Sequence, residues 1–286
     1  MTASTAHAGA GAGRSAGELD SSSRWARRVR YYLPAALVFI GVIGLWEVAV
    51  RNADIRGLPL PAPSQIAGAL VENWSAGRWS LGKAAVATLG EAVGGLAIGT
   101  AAGVVVAFLT ARFAAARELL LPLAIAASAV PIIAFAPLMN NWFGVLNPLS
   151  KMMIVAVLVF FPVVVNVIRG LTQVEPAALE LMRSYAATET TILRLVRLPN
   201  ALPYFFTALK VSATLSLIGA IVGEYFGGTS SVLGQVIVAS AGALRFDVTW
   251  AAIILGALTG IVFYLVIVTI ERMVIPWHAS VRGLEP

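Results

Sequence analysis

Six stretches of this chain are long and apolar enough to cross a lipid bilayer, at roughly 32–50, 84–109, 119–139, 150–168, 203–226 and 250–270. A helix needs about 20 mostly apolar residues to do so. Only 12% of the 286 residues are charged and 59% are hydrophobic, with a mean hydropathy of +0.86. Soluble domains carry about 25% charged residues, so most of this surface meets lipid or protein. The spacing predicts an all-α integral membrane protein with six transmembrane helices.

The spans are not equivalent. The third contains Pro122, Pro131 and Pro137, and each proline removes a backbone donor and clashes with the preceding turn. A kinked span is expected, with neighbouring protein satisfying the freed carbonyls. Gly95, Gly99 and Gly103 recur every four residues in the second span, and Gly219 with Gly223 and Gly256 with Gly260 repeat the interval. Small residues let helix backbones approach closely, so these rows predict helix packing.

Basic residues orient the spans. With six crossings, one side carries Arg14, Arg24, Arg27, Arg28, Arg30, Arg112, Arg117, Arg169, Arg183, Arg194, Arg197, Arg272 and Arg282. The other carries Arg51, Arg56, Arg78, Lys83, Lys151 and Arg245, and Lys210 falls within the fifth span. Thirteen against six puts both termini and the polar segment at 169–202 on the cytoplasmic side. Residues 1–31 read as a disordered tail, 32–275 as the membrane domain and 276–286 as a second tail. The run after Arg24–Arg30 is long enough to span, so it reads as a retained helix rather than a cleaved signal.

Several chemistries are excluded. There is no cysteine, and His7 and His278 sit near opposite ends without ligand clusters. Thiolate catalysis and a cysteine metal site are absent. The near match Gly77-Arg-Trp-Ser-Leu-Gly82-Lys83-Ala84 to a phosphate loop lacks the hydroxyl that would hold magnesium, and no strand precedes it. No cofactor is expected on this chain. Glu47, Glu91, Lys210 and Glu224 fall near span ends, where their side chains are expected to reach water. Ser128, Asn140, Asn141, Thr214, Ser216 and Glu224 are candidates to line a path, with Glu224 facing an outward vestibule.

The most polar internal segment, 175–199, lies between the fourth and fifth spans. Pro176 suits a first helical position and Thr188 a cap ahead of Glu189. Ala177, Ala178, Leu181, Met182 and Tyr185 predict an apolar face opposite Glu180, Arg183 and Ser184. Leu198-Pro199 is expected to end the second short helix, because a residue before proline avoids helical backbone.

This segment resembles the EAA loop of binding-protein-dependent ABC importer permeases, whose pattern is roughly E-A-A-x-x-x-G, nine residues, then I-x-L-P. Glu180 takes the acidic position, Leu181-Met182 replace the alanine pair, Ala186 replaces the glycine and Leu198-Pro199 close the motif. Residues 80–270 look like the nitrate/sulfonate/taurine branch. Met182–Ala187 and Ile218–Gly228 look most like permeases assigned to pyrimidine or riboflavin precursors. The resemblance implies a type I importer permease fold with a cytoplasmic coupling helix, in which Glu180, Arg183, Ala186, Ala187, Leu198 and Pro199 couple to an ATPase. It implies a non-catalytic subunit, a second copy of the chain, cytoplasmic ATPases that hold ATP and magnesium, and an extracytoplasmic solute-binding protein. Alanine at 186 predicts that the turn needs no left-handed backbone, so that the first helix runs on to Ala187. The competing reading is a stand-alone secondary transporter or channel, which calls for midplane ionisable residues or an inverted repeat.

Overall fold

The computed structural model describes residues 16–52, 60–75, 78–127 and 129–276. Gly77 of the near phosphate loop, Ser128, and the tails 1–15 and 277–286 lie outside them. Among the described residues the regular structure is helical. Packing divides the chain after Ser64, inside the membrane domain expected over 32–275.

The first unit is built on α1 (Ala16–Asn52), which begins inside the segment expected to be disordered. Its apolar stretch from Arg30 to Asn52 is span-length. Near its end Glu47 pairs with Arg51 one turn on. The Glu47 carboxylate also accepts the Ser64 backbone N–H at 3.0 Å and its hydroxyl at 2.7 Å. Glu47 thus ties the end of α1 to Ser64.

The second unit holds α2 (Pro63–Glu72), α3 (Leu81–Arg112), α4 (Ala114–Ala127), α5 (Ala136–Phe143), α6 (Pro148–Thr172), α7 (Pro176–Ser184), α8 (Glu189–Ile192), α9 (Leu198–Tyr225), α10 (Leu233–Gly242) and α11 (Phe246–Val274). Span-length apolar stretches occupy α3, α6, the continuous helical path from Glu189 to Tyr225, and α11. The third predicted span does not form one helix. α4 ends at Ala127, a tight 3-10 turn runs over Ile132–Phe135, and α5 follows. Pro131 begins the turn, with its carbonyl accepting from Ala134 N–H at 2.8 Å. The expected kink is a full break. Pro122 stays within α4 and Pro137 sits in the first turn of α5, where a missing donor costs nothing.

Helix α6 is the axis of this unit. Ile154, Val155, Val159, Val163, Val167 and Ile168 are buried along it, a stripe at helical spacing. The Gly95, Gly99 and Gly103 row lies against it: a Cβ on Gly95 would stand 2.5 Å from Val155 Cβ, and one on Gly103 would stand 2.9 Å from Val163 Cγ1. At Gly99 a Cβ would overlap the Ala156 carbonyl. Gly219 and Gly223 of α9 approach α6 from another side, at Leu158 and Ile154. Close packing without a side chain is the role of these glycines.

Candidate functional site

The segment from Pro176 to Arg197 leaves α6 and returns into α9, and its own sequence fixes its shape. Pro176 occupies the first turn of α7 after Glu175. Thr188 caps α8, its hydroxyl oxygen accepting Thr191 N–H at 3.3 Å. Both positions match expectation.

Between the two helices the chain does something the sequence reading did not expect. α7 stops at Ser184, and Ala186 adopts a left-handed backbone with φ of 50°. Ala186 N–H donates to Arg183 O at 2.9 Å and Ala187 N–H to Met182 O at 3.0 Å. These are the two crossed bonds of a Schellman termination, which places its left-handed residue where glycine is usual. The expected continuation to Ala187 is therefore corrected. The carbonyls at the end of α7 need those donors, and the termination outweighs the roughly 1–2 kcal/mol a Cβ costs in that conformation.

A second correction concerns Leu198-Pro199. The pair does not end the helix that starts at Glu189. A wide π-helical turn over Leu193–Arg197 carries the chain directly into α9, with Pro199 in its first turn. A π turn shifts the hydrogen-bond register by one residue, so the missing proline N–H falls where the ladder is already interrupted. Pro203, where the fifth span was expected to begin, lies inside α9. The base of the knob is clamped: Asn200 Nδ2 donates to Gly170 O at 2.8 Å and Gln173 O at 3.0 Å, and a Cβ on Gly170 would stand 2.7 Å from Ala201 Cα. Asn200 was not anticipated; its neighbours give no sequence signal for a bond across 30 residues.

The knob's surface is more apolar than its composition suggests. No residue of α7 is buried. Ala178, Leu179 and Met182 are half-buried, whereas Leu181 (57%), Tyr185 (77%) and Leu195 (66%) face outward beside the exposed Glu180 and Arg183. The predicted apolar face is thus divided, and its largest members point away from the protein.

The path candidates do not form one lining. Glu224 and Ser216 are fully buried, and Ser216 donates its hydroxyl to Ala213 O at 2.8 Å. Asn140 is buried and donates to Phe226 O at 3.2 Å. Asn141 is exposed. Thr214 is exposed and bonds back to Lys210 O at 3.2 Å. It also lines an open apolar groove of about 330 Å³ between α9 and α11, with Ile218, Ile221, Gly256, Gly260 and Tyr264.

Nor do Glu91 and Glu224 reach water as expected. Lys210 Nζ donates to both carboxylate oxygens of Glu271 at 2.9 and 2.8 Å, joining α9 to α11. Glu91, Lys151 and Glu224 are almost wholly buried. A lysine inside a span calls for a counter-charge, a signal that could have pointed to Glu271. Lys151, counted as a surface topology charge, donates to Val145 O instead. Among the described residues no cluster suits a metal ion.

Comparison with known proteins places this architecture. Over 248 residues the chain is 28% identical to the riboflavin transport system permease protein of Chloroflexus aurantiacus, covering 87% of this chain and 90% of that one. It is 28% identical over 248 residues to the formylaminopyrimidine transport permease protein of Halalkalibacterium halodurans, covering 86% and 96%. The taurine transport system permease protein of Escherichia coli matches at 28% over 153 residues, 54% of this chain and 55% of that one. The family described as binding-protein-dependent transport system inner membrane component matches residues 99–278. That stretch holds the broken span, the α6 axis, the knob and both late spans, and this chain belongs to that family, as the membrane permease subunit of an ABC importer.

Proposed function

We propose that this permease works as a pair of identical subunits whose 175–199 knobs each seat on a cytoplasmic ATPase, and that the solute is a small nitrogen heterocycle handed over by an extracytoplasmic binding protein. ATP and magnesium are held and used in the ATPase subunits, and this chain binds neither. Both termini and the knob are cytoplasmic. The burial of Lys151 takes one charge off the outer count and leaves five there, which favours that orientation further.

The observation that carries the reading is the exposed Leu181–Tyr185 surface on a clamped, capped helix. Large apolar groups held outward on a rigid mount are suited to burial in a partner, and rigid mounting transmits the partner's movement into α6 and α9. Glu180 and Arg183 beside them set register by charge. Heterocycle transport is supported by the relatives named for riboflavin and formylaminopyrimidine, which align along nearly the whole chain. The groove of Thr214, Ile218 and Tyr264 adds an apolar, aromatic wall with two hydroxyls, the composition of a pocket for a flat, uncharged solute.

The test uses the assembled complex in proteoliposomes with its binding protein. Glu180→Arg and Leu198→Asp are expected to leave insertion and subunit recovery unchanged while lowering solute-stimulated ATPase at least about ten-fold, equivalent to roughly 1.4 kcal/mol of coupling. Because the chain has no cysteine, Leu181→Cys provides a unique thiol that should cross-link to the ATPase. Normal stimulation in both variants, with no cross-link, would refute the knob as the coupling surface.

A further inference from the structure

At the Pro148 end of α6, four helices bring polar side chains together away from solvent. Glu91 of α3 is 6% exposed, Lys151 of α6 is 1% and Glu224 of α9 is 0%. Glu224 Oε2 accepts the Gly234 N–H in the first turn of α10 at 2.6 Å. The Thr88 and Glu91 side chains are its nearest side-chain neighbours. Thr88 Oγ1 in turn accepts Leu233 N–H at 2.9 Å, which leaves its own hydrogen for Glu224. The Lys151 ammonium donates to Val145 O and lies within electrostatic reach of both carboxyls. Glu91 Oε2 and Glu224 Oε1 have no protein donor. A Cβ on Gly234 would stand 2.5 Å from Glu224 Cβ, so the contact requires glycine.

The three ionisable groups do not balance in charge when all are ionised. Two carboxylates and one ammonium leave one net negative charge on almost wholly buried side chains, and an uncompensated buried charge is costly. Two neighbouring carboxyl groups also repel each other unless one of them carries a proton. That proton makes the sum zero: one carboxylate, one carboxylic acid, one ammonium. The two sites are unequal. Glu224 accepts the Gly234 backbone N–H, whereas no backbone donor faces Glu91.

We propose that Glu91 is a proton-binding site: it holds one proton, donates it to Glu224, and so completes a neutral lock that fixes the start of α10 to α3, α6 and α9. The proton is a resident of the site and not a transported ion, because every group around it is buried. The lock makes the outer ends of these helices move as one body when the importer changes access. It stands independently of the solute assignment and of the knob.

The test uses the full chain purified with its ATPase partner. An infrared difference spectrum, wild type minus Glu91→Gln, is expected to show the carbonyl stretch of a protonated carboxylic acid. Glu91→Gln, whose amide N–H replaces the O–H, should melt within about 3 °C of wild type. Lys151→Met, which strands a buried carboxylate, should melt about 10 °C lower. Adding Glu224→Gln to Lys151→Met removes that charge and should recover most of the loss. Absence of the carbonyl band overturns the proposal. So does a Glu91→Gln variant that fails to assemble or melts with Lys151→Met, or a double variant no better than Lys151→Met alone.

Discussion

The two polar regions of this permease are built on opposite principles. Around Glu224 every charged group is turned inward and bonded to another part of the same chain. On the knob, Leu181, Tyr185, Glu180 and Arg183 are turned outward, and the internal bonds serve only to hold the mount. The first region is complete within the subunit and the second is complete only with a partner. The contrast separates two kinds of damage: changes in the closed region should appear as loss of folded protein, and changes in the open one as loss of coupling in protein that still folds.

The severest test of the closed side is Gly99→Leu. A side chain there meets the Ala156 backbone and Val159 Cγ2, and backbone cannot step aside as a flexible side-chain tip can. Overpacking of this kind costs about 3 kcal/mol or more, so folded protein recovered from membranes should fall steeply. Gly90→Ala, in the same helix with open space at its Cβ, should instead hold steady or gain up to about 1 kcal/mol. Equal yields for the two variants would break the argument that the α3–α6 seam is closed by missing side chains.

Lys210→Met ranks next. Removing one partner of a buried ion pair costs about 3–5 kcal/mol, because the other charge is left unpaired. Lys210 retains 22% side-chain exposure and Glu271 6%, which favours the lower end. The double variant Lys210→Met/Glu271→Leu should recover most of that loss, as measured by thermal melting of the detergent-solubilised complex. Failure to recover would mean that the pair serves something other than closing α9 on α11.

The same contrast explains which features the sequence made legible. Local signals were read correctly: Pro176 and Thr188 sit where first-turn and cap preferences place them, the glycine rows mark close packing, and Pro131 marks the break in the third span. Features decided by partners far along the chain were not. Lys210 finds Glu271 61 residues away, and Leu233 finds Thr88 across 145 residues. No periodicity reports such pairs, so residues like Glu91 and Glu224 read as wet helix ends. The Leu198-Pro199 error has a different origin. The rule that proline ends a helix assumes an ordinary ladder, and the π turn before Pro199 removes that assumption.

Ala186 is the point where local and imposed structure conflict, and it yields the smallest and most discriminating prediction. Its backbone is left-handed, and the two bonds that close α7 across Arg183 and Met182 depend on that conformation. Glycine adopts it without a steric penalty. Ala186→Gly removes the native-state strain but also loosens the unfolded chain, and the two effects oppose each other. The strain is worth about 1–2 kcal/mol, and the added chain entropy about 0.4–1 kcal/mol. A net gain of between zero and about 1.6 kcal/mol remains, confined to the knob. Because the knob is the open region, this gain should leave the melting of the spans almost unmoved. It should appear instead as slower amide hydrogen exchange at Ala186 and Ala187 in the assembled complex. Valine, whose branched Cβ tolerates that backbone least, should do the reverse. If glycine and valine change exchange there equally, the turn is not strained at Ala186, and the knob's rigidity must come from the Asn200 clamp alone.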